Sequence, residues 1–383
     1  MGSRSLNAER LAQAHRVVLK IGSSLFVDHT TGRLHRTWLE ALCADVAGMR
    51  AGGQEIVIVS SGAIALGARQ LGIDPTRARL EESQAAAAAG QIQLAHAYQE
   101  ILGAHGLAAA QILLTLDDSE SRRRYLNAAN TLFTLLKRGA IPVVNENDTV
   151  ATQEIRYGDN DRLAARVAQM ISADCLILLS DVDGLYTADP KLDPHARHIA
   201  ELTRLGEEHW AMASGPGSDH GKGGMRTKLD AARIAMGAGC RILITSGRVA
   251  HPVKALADGA RATWLLPGST PRASRKQWIA GTLKPRGTVT VDEGAKRALA
   301  AGRSLLPAGV TRVSGDFERG EAVRVKDQAG AELGRGLIAY PAQEARAIAG
   351  RRSDAIADVL GYRGRDELIH RDDLALINNG TGA

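Results

Sequence analysis

The stretch IPVVNENDTVATQEIRYGDNDRLAA, residues 141–165, decides how the chain is read. It opens as a buried strand, Ile141-Pro142-Val143-Val144, and turns polar at once with Asn145-Glu146-Asn147-Asp148. Gly158-Asp159-Asn160-Asp161 follows, and then an amphipathic run that predicts a helix. Two clusters of short carboxylates and carboxamides thus sit after a strand end and before a helix start, where an open α/β sheet binds its ligands. Either cluster alone also reads as an Asx-rich turn. Together, with short reach and defined donors and acceptors, they suit a small zwitterionic substrate.

On the N-terminal side, residues 16–21, RVVLKI, predict a strand that ends in Gly22-Ser23-Ser24. Such an end offers backbone N–H groups to a phosphate, and Lys20 adds an ammonium there; alone it also reads as a solvated lysine. Residues 55–60, EIVIVS, predict a second strand, and Ser61 reads both as an N-cap and as a residue at the sheet's carboxyl edge. Residues 81–106 predict a long helix with strong helix formers at 85–89, residues 108–114 a strand, and residues 121–138 another helix. Arg122-Arg123-Arg124 in that helix reads as a solvated face or a subunit contact.

On the C-terminal side, residues 174–179 predict an apolar strand running into Ser180-Asp181-Val182-Asp183-Gly184. The turn signals through Asp189-Pro190 and Asp193-Pro194 predict a hairpin or lid over the sheet edge. Residues 221–228, GKGGMRTK, place glycines before a helix over 225–238. Backbone N–H groups at a helix start can approach an anion, helped by the helix dipole, and Lys228 adds a full charge one turn in. The pattern is neither GxxxxGK[ST] nor GxGxxG, and alone it also reads as a flexible loop. Residues 241–246 and 262–266 predict two final strands. Alternation over 16–266 predicts an open, largely parallel αβα sandwich. Its strand ends would gather Lys20, Ser61, both Asx clusters and Ser180-Asp181 on one edge.

Bulk properties bound the rest. A length of 383 residues predicts one large and one small domain. Hydrophobic content of 44% and charged content of 23% are those of a soluble globular protein. The formal net charge of +6 permits anionic ligands without demanding nucleic acid. Four Trp, six Tyr and three Phe are few for base-stacking platforms. Cys43, Cys175 and Cys240 lack CxxC spacing, which predicts a reduced, cytoplasmic protein without a zinc site. No apolar run predicts a membrane span. Residues 1–15 read as a flexible extension, 16–266 as the large αβα domain and 267–284, polar and basic, as a linker. Short strands with Gly-rich turns over 285–365 predict a small, mostly β, barrel-like domain, and residues 366–383 a loose polar tail.

The order KxGSS, IVxVSSGAI, PVVNEND, GDND, SDVDGLYTADP and GxGGMxTK resembles the glutamate 5-kinase family of the amino acid kinase superfamily. The last third, from GTVTVDEGA to HRDD, is similar to the PUA domain carried by many bacterial members. The resemblance implies ATP-dependent phosphorylation of the L-glutamate side-chain carboxylate to γ-glutamyl 5-phosphate, the first step of proline biosynthesis, with Mg²⁺. It implies that Lys20, Lys228 and Asp161 are catalytic, Lys20 stabilising the phosphoryl group in flight and Asp161 orienting both lysines. Ser61, Asp148 and Asn160 would hold the glutamate. Lys20, Ser180, Asp181, Lys222, Gly223, Gly224, Met225, Arg226, Thr227 and Lys228 would line the nucleotide site, Lys222 standing where many relatives have a small or hydroxylated residue. It further implies feedback inhibition by proline through residues 146–161, a homodimer or tetramer, and hand-over of the labile product to glutamate-5-semialdehyde dehydrogenase. Mg²⁺ ligands are not assigned, because phosphates and water can hold most of its shell.

The chemistry is consistent with these residue types. A carboxylate nucleophile is already ionised and needs no general base. It does need charge neutralisation as it approaches a polyphosphate, which lysines, helix N-termini and Mg²⁺ supply. Kinases of the same superfamily acting on N-acetylglutamate, aspartate, carbamate or a nucleoside monophosphate are the nearest alternatives, and the Asx clusters favour an acceptor with a free ammonium. RNA binding through the PUA-like domain is the alternative from another class; the residues at the catalytic edge argue against it as the main role.

Overall fold

Strand Ile141–Glu146 carries a proline, and its place in the sheet explains why that is tolerated. Ile141 N–H donates to the Ala108 carbonyl, so the missing N–H of Pro142 faces the other neighbour, strand Glu55–Val59. That neighbour pairs only from Val143 onward, so no ladder bond is lost. The structure, a computed structural model, describes residues 5–28, 31–150, 159–213, 224–281 and 284–377. It divides into two units, Met1–Pro271 and Arg272–Ala383.

The first unit is built on an eight-stranded sheet. Across it the strands run Glu201–Leu202, Ala262–Leu265, Arg241–Ser246, Cys175–Ser180, Arg16–Ile21, Glu55–Val59, Ile141–Glu146 and Ala109–Leu114. All neighbours pair parallel except Arg241–Ser246 with Ala262–Leu265, which is antiparallel. Period-two alternation divides each buried strand between two apolar layers. Val17, Leu19, Ile56 and Ile58 pack with Leu39, Leu42, Leu94 and Tyr98 of helices Arg36–Ala51 and Leu80–Ala104. Val18, Val57, Leu176 and Leu178 pack with Leu132, Leu163, Ala231 and Ala235 of helices Arg122–Lys137, Asp159–Met170 and Met225–Gly237. This is the αβα sandwich expected. The turn-rich segment contains the hairpin Leu185–Tyr186 against His198–Ile199.

Residues 5–15, expected to belong to a flexible N-terminal extension, are structured instead. Helix Leu6–Ala12 is capped by the Ser5 hydroxyl and buries Leu11. Asn7 accepts from Trp264 Nε1 at 2.8 Å and Arg10 pairs with Glu201 at 2.7 Å. Tertiary contacts hold a helix too short to persist alone.

The second unit is a five-stranded sheet in the order Val310–Gly315, Gly287–Val291, Ala322–Asp327, Glu332–Leu337, Leu374–Leu376. Its core joins Val289, Val291, Phe317, Val323, Ile338, Leu368 and Ile369. Residues 267–284, expected as a linker, include helix Pro271–Gly281 with Ile279 fully buried. The expected tail also differs: Leu368 and Ile369 are core residues, and Leu374–Leu376 closes the sheet against Glu332–Leu337. Residues 378–383 lie outside the described residues.

Candidate active site

The carboxyl ends of four adjacent parallel strands deliver the site. Lys20 is next to last in its strand and has the parity of Val18, so it leaves the sheet on the side of helices Asp159–Met170 and Met225–Gly237. Asp161 lies in the first turn of the former helix, and Thr227 and Lys228 in the first turn of the latter. The side chains converge: Lys20 Nζ is 2.6 Å from Asp161 Oδ1, and Lys228 Nζ is 3.4 Å from Asp161 Oδ2. The Thr227 hydroxyl donates to Asp161 Oδ2 at 2.9 Å. Lys20 is 6% exposed, Lys228 5% and Asp161 0%.

Three charges this deeply buried hold only as a set. Burial alone would raise the Asp161 carboxyl, but Lys20, then Lys228 and the hydrogen bonds to it, hold it down at about 2. Burial lowers the Lys20 ammonium from its usual value, Asp161 opposes that, and Lys228 reinforces it. Two lysines set against one carboxylate give the group a formal positive balance at a strand edge. That is the electrostatic demand of a phosphoryl group in transfer. Helix Met225–Gly237 begins at Gly224 without a side-chain cap, so its first N–H groups stay available for an anion.

A second group is neutral. Asn160 Nδ2 donates to Ser61 Oγ at 2.7 Å, to the Ser60 carbonyl at 3.2 Å and to Asn145 Oδ1 at 3.3 Å. Asn145, buried at the end of its strand, donates from Nδ2 to Gln91 Oε1 at 2.7 Å. Among the described residues, Asn160 Oδ1 and Gln91 Nε2 are buried without a hydrogen-bond partner. An unmet buried polar atom costs about 1–3 kcal/mol. Ser61 is not the N-cap of the helix that follows; Gly62 is, at φ 108°, and a Cβ there would stand 3.1 Å from Val27. The Ser61 hydroxyl is thereby left to Asn160.

The remaining expected residues are placed as follows. Ser180 ends strand Cys175–Ser180 and donates to Asp181 Oδ1 at 3.1 Å; Asp181 Oδ2 is 3.8 Å from Arg248. Asp148 lies partly buried in the turn after Glu146. Met225 packs partly buried against the apolar layer, and Arg226 is exposed. Lys222 and Gly223 lie outside the described residues, as do 151–158. Sequence reading missed Asn145 as a site residue, and Gln91, Ser60 and Arg248 altogether. A signal for Gln91 existed: with Ala87, Leu94 and Tyr98 it keeps the four-, three- and seven-residue spacing of that helix's buried stripe.

Residues 15–246 match the amino acid kinase family, and residues 287–360 match the PUA domain. The glutamate 5-kinase of Paramagnetospirillum magneticum is 64% identical over 96% of this chain and 99% of its own. That of Rhodospirillum rubrum is 61% identical over 94% and 96%, and that of Agrobacterium fabrum 55% identical over 99% and 96%. The chain belongs to the amino acid kinase family, and within it to the glutamate 5-kinases.

Proposed function

We propose that the chain transfers the terminal phosphoryl group of ATP to the side-chain carboxylate of L-glutamate, giving γ-glutamyl 5-phosphate for proline biosynthesis. The observation that carries this reading is the buried Lys20–Asp161–Lys228 set at the strand edge. In the transfer, a γ-carboxylate oxygen attacks the γ-phosphorus, the bond to the bridging oxygen breaks, and ADP leaves with the electron pair. Lys20 faces the phosphoryl group in flight and Lys228 the nucleotide phosphates. Asp161 holds the two ammonium groups at a fixed spacing, which limits reorganisation as charge moves. Ser180, Asp181 and residues 222–228 serve the nucleotide.

The amino acid is held by Ser61, Asp148 and Asn160. The buried Asn160 Oδ1, without a donor among the described residues, suits the substrate ammonium. This favours glutamate over its N-acetylated form, whose amide presents a single N–H. Mg²⁺ keeps most of its waters and binds chiefly through phosphates. No described group of three His, Cys, Asp or Glu side chains surrounds one point. We therefore assign the ion to the nucleotide, with the half-exposed Asp181 as its protein carboxylate; when bound it neutralises phosphate charge.

Proline would compete with glutamate through residues 146–161, of which 151–158 lie outside the described residues. The working form would be a cytoplasmic dimer or tetramer that passes its labile product to a dehydrogenase of glutamate 5-semialdehyde. No described helix is long and apolar enough to cross a membrane. The test is turnover of ATP and Mg²⁺ with hydroxylamine, which traps an acyl phosphate as its hydroxamate. Glutamate is expected to give hydroxamate, N-acetylglutamate and aspartate are not, and proline should suppress it. Lys20→Ala should lower kcat at least about a hundredfold, as loss of a transition-state charge contact does. Turnover only with another acceptor would reject the substrate assignment.

A further inference from the structure

We infer that Gln91 is a positioning residue for the amino-acid acceptor, acting through Asn145 on Asn160; the inference rests on the function proposed above. The Ser60 carbonyl can only accept a hydrogen bond. Asn160 donates to it at 3.2 Å, which fixes the Asn160 amide with Nδ2 toward Ser60 and Ser61 and leaves Oδ1 on its other side. Asn145 must then turn its oxygen to Asn160, at 3.3 Å, and its nitrogen to Gln91, at 2.7 Å. Gln91 in turn presents Oε1, and its Nε2 has no hydrogen-bond partner among the described residues. One main-chain carbonyl therefore sets the polarity of three carboxamides in series.

Gln91 closes the series because its helix stands unusually near. A Cβ on the adjacent Gly90 would lie 1.8 Å from the Ala63 carbonyl, and one on Gly67 the same distance from that of Ala86. The two helices touch backbone to backbone, and this brings Gln91 over the end of strand Ile141–Glu146. Without the acceptor at Gln91, Asn145 keeps only the longer 3.3 Å bond from Asn160 to hold its orientation, and its buried nitrogen loses the 2.7 Å partner. If the Asn145 amide flips, it offers Asn160 a donor where an acceptor stood, and the Asn160 oxygen loses its orientation toward the ammonium.

The test is Gln91→Met, near-isosteric but without the acceptor, in the full chain. Hydroxamate kinetics are run with glutamate and ATP varied in turn, together with thermal unfolding. The expected result is a KM for glutamate raised about tenfold with KM for ATP unchanged. The Asn145 nitrogen left unmet is offset by removal of the unmet Gln91 nitrogen, so the melting temperature should move by no more than a few degrees. Asn145→Ala should raise the same KM similarly. The double variant should match either single one, because both break one series. An unchanged KM for glutamate, a parallel rise in both KM values, or single effects that multiply in the double variant would each overturn the role of Gln91. Failure of the underlying function would show separately, as an unaltered chain that turns over a different acceptor; the same split is then read with that acceptor.

Discussion

Asp161 is a residue whose value lies in its neighbours. Burial and the nearby Lys228 both disfavour the Lys20 ammonium, and the Asp161 carboxylate opposes them. Asp161→Asn preserves shape and removes that charge. The expected outcome is a fall in kcat of at least about a hundredfold and a loss of stability of about 3 kcal/mol, read by hydroxamate kinetics and urea denaturation. Wild-type kinetics in the variant would refute the arrangement. The pH dependence follows from the same carboxyl. Its folded value, about 2, lies below its usual 3.8, so its contribution is complete above pH 3.8 and disappears as pH falls towards 2. Acid titration of stability should show this loss, about 2 kcal/mol, in the native chain and not in Asp161→Asn.

Among elements, the crossing of helices Ala63–Leu71 and Leu80–Ala104 brings Gln91 to Asn145, beside the proposed amino-acid pocket. Gly67 and Gly90 are in backbone contact there, whereas a Cβ on Gly103, in the same long helix, would meet nothing within 4 Å. Gly90→Ala is expected to destabilise by about 3 kcal/mol and to raise KM for glutamate. Gly103→Ala should stabilise by about 0.5–1 kcal/mol and leave kinetics alone; equal effects at both positions would contradict the close crossing. The same elements show what the sequence discloses. Lys20, Asn160, Asp161 and Lys228 were legible because they lie at strand ends or helix starts, where local pattern announces them. Gln91 was not, because it reaches Asn145 only through a helix contact made by glycines 23 residues apart. The N-terminal helix and the strand Leu374–Leu376 were missed for a related reason. Asn7 bonds Trp264, and Leu376 pairs with Gly334, so both are held by partners distant in the chain.

At the scale of the whole molecule, each unit has a described core of its own. Every buried member of the described apolar layers around the first sheet lies before residue 272, and every one in the second sheet's core lies after it. The residues named for the charged set and the carboxamide series run from Lys20 to Lys228, and Arg248 stands 3.8 Å from Asp181. None of the residues named for the proposed chemistry lies in Arg272–Ala383. A chain ending at Pro271 exceeds the length at which a single core becomes self-sufficient. It should unfold cooperatively and form hydroxamate from glutamate with kcat within about twofold of the full chain, a change too small to represent a lost contact in the transition state. Proline suppression measured in both chains then separates two roles for the PUA unit. Equal inhibition would assign it to architecture, a shift with unaltered kcat would make it regulatory, and loss of turnover in a chain that still unfolds cooperatively would defeat the separation of the two units.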